Sequence, residues 1–76
     1  MKRENLNKKL EEALGMMNKR GFAFCIFDGE EEIKEIPEFN KIVSEYFNKI
    51  GKEYIIENLS VFNNYKVIGI KIRGEK

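Results

Sequence analysis

GFAFCIFDGEEE, residues 21–32, sets six apolar side chains in a row between a glycine and an Asp-Gly pair, and three glutamates follow. A run of six is too short for a helix and is rich in aromatics, so Phe22 to Phe27 reads as a strand. Side chains alternate along a strand. Phe22, Phe24 and Ile26 therefore share one face, and Ala23, Cys25 and Phe27 share the other. Both faces are apolar and both need cover. Either one helix lies on each face, or a second chain covers one of them, because a bare apolar face would exceed what monomers normally expose. Burial statistics place Phe22 and Phe24 in the core. Asp28-Gly29 is a strong hairpin signal, since both turn positions must accept positive φ. The return strand would lie near Glu31 to Ile36. Ile33 and Ile36 are three apart, which fits no strand alternation, so this segment reads as a short edge strand or as an irregular loop.

Before this stretch, from Arg3 to Arg20, Leu6, Leu10, Ala13, Leu14 and Met17 recur at helical intervals. Lys19 and Arg20 suit the negative end of the helix dipole, and Gly21 can close the last turn. Gly15 inside this helix leaves room for a kink or a close approach. After it, Pro37 suits a first helical turn, and Phe39, Ile42, Val43, Tyr46, Phe47 and Ile50 form an apolar stripe that ends at Gly51.

Glu53 to Arg73 reads as a second hairpin with Asn63-Asn64 as its two-residue turn. Pairing Phe62 with Tyr65 puts Leu59, Val61, Ile55, Ile68, Ile70 and Ile72 on the core face. It leaves Tyr54, Ile56, Phe62, Tyr65 and Val67 on the other. A looser turn across Ser60 to Asn64 would shift the register by one and exchange the faces. Gly74 to Lys76 reads as a loose tail. The expected fold is a single α+β domain over residues 1–76, a small two-layer sandwich in the order α-β-β-α-β-β. Its mostly antiparallel sheet has three or four strands packed with two helices.

The 76 residues form one core at most, and 42% apolar residues with 36% charged describe a folded chain with an ionic surface. Net charge is only +1, so no long-range field calls for a polyanion. The charges are segregated, however. Residues 1–20 hold six basic and three acidic groups, residues 21–39 one and six, and residues 40–76 seven and four. The lone Cys25 fits a reducing, cytoplasmic setting. The amphipathic start is not a signal peptide, and no apolar run is long enough to span a bilayer. The abundance of Lys, Ile, Asn and Glu is associated with AT-rich coding sequence.

The chain has no histidine, which removes Ser-His, Cys-His and His-metal arrangements. Cys25 in an apolar strand reads as a small buried hydrophobe. Asp28, Glu30, Glu31 and Glu32 lack the ligand spacing of a calcium loop. No enzyme, cofactor or metal site is expected. Two binding classes remain. The first is a small non-enzymatic protein-binding regulator, adaptor or inhibitor of the kind found in bacteria, archaea and mobile elements. It would act by occlusion through Phe22, Phe24, Tyr54 and Tyr65 and the acidic segment Asp28, Glu30, Glu31 and Glu32, with a homodimer as one form. The second is a nucleic-acid-binding module that stacks bases on the same aromatics, with Lys66, Lys71 and Arg73 on phosphates. The acidic segment and the low net charge weigh against the second.

Overall fold

A computed structural model describes residues 3–60 and 62–75. The elements run α1 (Arg3–Arg20), β1 (Phe22–Asp28), α2 (Glu30–Ile33), α3 (Ile36–Ile50), β2 (Lys52–Asn58) and β3 (Tyr65–Glu75). The three strands form one antiparallel sheet in the order β1-β3-β2, so the last strand lies in the middle. The described residues form a small α+β domain with three helices and three strands. The fourth strand is absent among the described residues.

The expected return strand after Asp28-Gly29 is a short helix instead. Gly29 takes φ 90° and ψ 160°, a conformation open essentially to glycine alone, and it bends the chain out of β1 rather than back along it. The three glutamates then sit in the first turn of α2, where the positive end of the helix dipole favours them. The spacing of Ile33 and Ile36, awkward for a strand, suits this helical geometry. Both are partly buried against the core.

The core is continuous. Leu6, Leu10, Ala13 and Met17 of α1 and Phe39, Ile42, Val43 and Phe47 of α3 meet Ala23, Cys25 and Phe27 of β1 and Ile68 and Ile70 of β3. The sheet residues in this set all belong to one face, since Ala23 pairs with Ile70 and Cys25 with Ile68. Phe27 meets Phe39 edge to face at 5.2 Å, and Phe47 stacks on Tyr54 at 4.8 Å. Gly51 closes α3 at φ 70°, the left-handed conformation that a helix C-terminus commonly uses. No close approach explains Gly15, which has nothing within 4 Å of a built Cβ.

The β2–β3 register is one residue away from the Phe62–Tyr65 pairing. Asn58 pairs with Ile68, Ile56 with Ile70 and Tyr54 with Ile72. Ile55 and Leu59 therefore leave the expected core face, and Tyr54 and Ile56 join it. Two local features explain the slip. Among the described residues none other than glycine has positive φ, so Asn63-Asn64 does not make the tight turn. Asn58 instead accepts hydrogen bonds from the Ser60 N–H at 3.1 Å and the Ser60 hydroxyl at 2.6 Å, turning the chain early. Val61, assigned to the core face by the sequence pattern, lies outside the described residues. Gly74 and Glu75 are not a tail but pair with Glu53 and Lys52.

Candidate functional site

The alternation of β1 leaves Phe22, Phe24 and Ile26 on the side of the sheet away from the helical core. They are 39%, 42% and 47% exposed. This corrects the expectation that Phe22 and Phe24 are core residues. The strand pairings arrange this open face in four rows. Phe22, Lys71 and Ile55 make the first, and Phe24, Gly69 and Glu57 the second. Ile26, Val67 and Leu59 make the third, with the Leu59 N–H on the Val67 carbonyl at 2.8 Å. Asp28 and Tyr65 make the fourth.

The face has relief. A groove of about 330 Å³ crosses the first two rows between the Phe22–Phe24 pair and Ile55, with Gly69 on its floor. The two phenyl rings stand edge to face at 5.3 Å and 71°. Leu59, 47% exposed, leans over Gly69 so closely that a Cβ there would lie 2.7 Å from its Cδ1. Glycine is thus what lets Leu59 lie flat across the central strand.

The proposed site residues divide. Phe22, Phe24 and half-buried Tyr65 share the open face, with Lys71 between Phe22 and Ile55. Tyr54 does not join them, because the register slip turns it to the helical side, against Phe47. Lys66 pairs with Phe27 on that same helical side and is half-buried. Arg73 is exposed at the irregularity where pairing shifts between Glu53 and Tyr54. Sequence reasoning left Ile55, Leu59 and Val67 out of the site. The signal that could have found them is the Asn58-x-Ser60 spacing, which favours an early turn over an Asn-Asn hairpin.

The acidic segment is partly structural. Lys9 of α1 donates to the Ile26 carbonyl at 2.8 Å, lies 3.5 Å from Glu32 and sits 4.8 Å from the centre of the Phe27 ring. It ties α1, β1 and α2 together on the outer edge of β1, where a lysine also discourages strand pairing. Glu32 further accepts a long bond from the Asp28 N–H at 3.4 Å. Glu30, Glu31 and Asp28 are exposed, with Glu31 3.8 Å from Lys34. Among the described residues no three acidic or thiol groups are grouped to share a metal ion. Cys25 is buried, and burial raises its thiol from 9.0 to about 11, with Lys9 opposing and Glu12 adding to the shift. Among the described residues no helix is long and apolar enough to cross a membrane. No protein-family model, curated protein or solved structure matches the chain.

Proposed function

We propose that this chain is a small non-enzymatic protein-binding regulator, an adaptor or inhibitor, built as a two-layer domain whose uncovered sheet face docks on a protein and occludes part of it. The observation that carries this reading is the exposure of Phe22, Phe24, Ile26 and Leu59 on one continuous face. At roughly 200 Å² for a fully exposed side chain of this size, these four present roughly 350 Å² of apolar surface. Covering it is worth about 9 kcal/mol gross at 25 cal/mol/Å², against an association cost of the same order. The face therefore supports reversible binding. Exposed Asp28, Glu30 and Glu31 supply a charged rim at one end. The raised Cys25 thiol and the lack of histidine favour binding over catalysis, and the lone buried thiol suits a cytoplasmic setting.

A second reading, single-stranded nucleic acid on the Phe22–Phe24 pair with Lys71 and Arg73 on phosphates, draws on the ring geometry. It is the weaker one, because Tyr54 and Lys66 lie on the other side of the sheet. The test is capture from an extract of the source cells, comparing wild type with Phe24→Glu and with the α3 surface control Lys41→Glu, after circular dichroism confirms folding. A partner lost only with Phe24→Glu supports the proposal. Partners retained equally by all three proteins would sink it, and a partner removed by nuclease would favour the second reading.

A further inference from the structure

We infer that the occupant of the open face is a second copy of this chain, packed face to face about a twofold axis that lies between the sheets and runs perpendicular to the strands. This rests on the docking reading above and names the partner. The first support is the distribution of charge over the face. Lys71 lies in the first row and Asp28 in the fourth, at opposite ends of the strands, and Glu57 of the second row is exposed on β2 at the edge of the sheet. A twofold axis perpendicular to the strands reverses the rows. It sets Lys71 of each copy over the end of its partner that carries Asp28. A twofold axis parallel to the strands would instead bring the two Lys71 side chains together, which like charges disfavour. The perpendicular axis thus sets opposite charges over one another at both ends of the face and keeps the two lysines apart.

The relief agrees with that orientation. Reversal lays the second row over the third, so Ile26 of one copy meets Phe24 of the other, and Val67 meets Gly69 and the Leu59 side chain that lies across it, beside the groove. Two sheets packed this way stand about 10 Å apart with their strands nearly aligned. Area sets the strength. With the partly exposed Ile55, Tyr65 and Val67 included, each copy offers roughly 500 Å², or about 1,000 Å² in total, which is the lower limit for a specific interface. The dimer is therefore weak and concentration-dependent. Pairing edge to edge is disfavoured at β1, where Lys9 already occupies the outward Ile26 carbonyl at 2.8 Å.

Sedimentation equilibrium from about 10 μM to 1 mM, with a soluble nitroxide broadening exposed side-chain resonances in parallel, tests this. Wild type is expected to dimerise and to protect Phe24, Ile26 and Val67 as it does so. Lys71→Glu and Asp28→Lys, both at exposed positions, should each weaken the dimer by about tenfold, and the double variant should recover most of the loss. A monomer at all concentrations with the face fully broadened overturns the second copy and leaves the docking reading standing. A monomer whose face is protected overturns both. A dimer with the face still broadened, or one indifferent to the charge exchange, overturns this arrangement. Protection of the monomer's face by a single-stranded oligonucleotide transfers it to nucleic acid.

Discussion

The same substitution, phenylalanine to leucine, at Phe27 and at Phe24 separates the two faces of β1 by their energetics. Phe27 is fully buried, lies edge to face on Phe39 at 5.2 Å and has the Lys9 ammonium 4.8 Å from its ring centre. Truncation to alanine would cost about 3–5 kcal/mol. A 76-residue chain has only about 4–11 kcal/mol in total, so alanine risks unfolding it. Leucine keeps most of the volume. It removes an aromatic pair worth about 0.5–1.5 kcal/mol and leaves a small misfit of similar cost, for a loss of about 1–3 kcal/mol. Phe24, 42% exposed, gives up contact mainly with Phe22, so its loss should stay below about 0.5 kcal/mol. Urea unfolding followed by far-ultraviolet circular dichroism reads both. With a slope near 1 kcal/mol/M for a chain this small, the midpoint falls by about 1–3 M for Phe27→Leu and by less than about 0.5 M for Phe24→Leu. Measurement at low micromolar concentration keeps self-association out of the comparison. Equal shifts, or a larger one for Phe24→Leu, would refute the assigned faces.

Lys9→Met keeps the methylene stem but removes the bond to the Ile26 carbonyl and the ion pair with Glu32. Its cost should be about 1–2 kcal/mol, part of it screened by salt, with more aggregation as the β1 edge is freed; urea midpoints at two salt concentrations and light scattering measure this. Gly15→Ala meets nothing within 4 Å and should stabilise the protein by about 0.5–1 kcal/mol, read as a raised thermal midpoint. For Cys25, the folded thiol titrates at about 11 against 9.0 when free. Its contribution is therefore complete below pH 9 and is lost as pH rises towards 11, because the unfolded chain releases its proton first; the loss is at most about 3 kcal/mol. The fall in urea midpoint between pH 8.5 and 10.5 should be shallower in Cys25→Val, and native Cys25 should react slowly with a thiol reagent at pH 8.

The sequence made the long elements readable because their signals agree with one another. In α1 and α3 the apolar period, the basic last turn and the closing glycine all point to the same ends. In β1 the run of six apolar residues left one assignment, and its alternation sorted the faces correctly. Which face would be bare was not readable, since Phe22, Phe24 and Ile26 are more apolar than the Ala23 and Cys25 that lie beneath the helices. On the covered face small Ala23 and Cys25 leave room for α1, while large Phe27 packs against Phe39 of α3. Two turns misled for one reason. Asp28-Gly29 and Asn63-Asn64 both permit left-handed conformations, but permission does not compel a hairpin. At Gly29 the following glutamates found a better state in a helical turn, and at Asn58 a side-chain bond to Ser60 began the loop early. The second of these moved Tyr54 off the candidate site and brought Ile55 and Leu59 onto it.

Proton–proton Overhauser contacts of the Phe24 ring report directly whether the helical core covers one face of the sheet and leaves the other open. At a concentration where the chain is monomeric, the ring should contact Phe22, Gly69 and Leu59, with no contact to Leu10, Ala13 or Met17 of α1. Contacts from Phe24 to those α1 side chains, with Cys25 facing outward instead, would contradict the assigned faces.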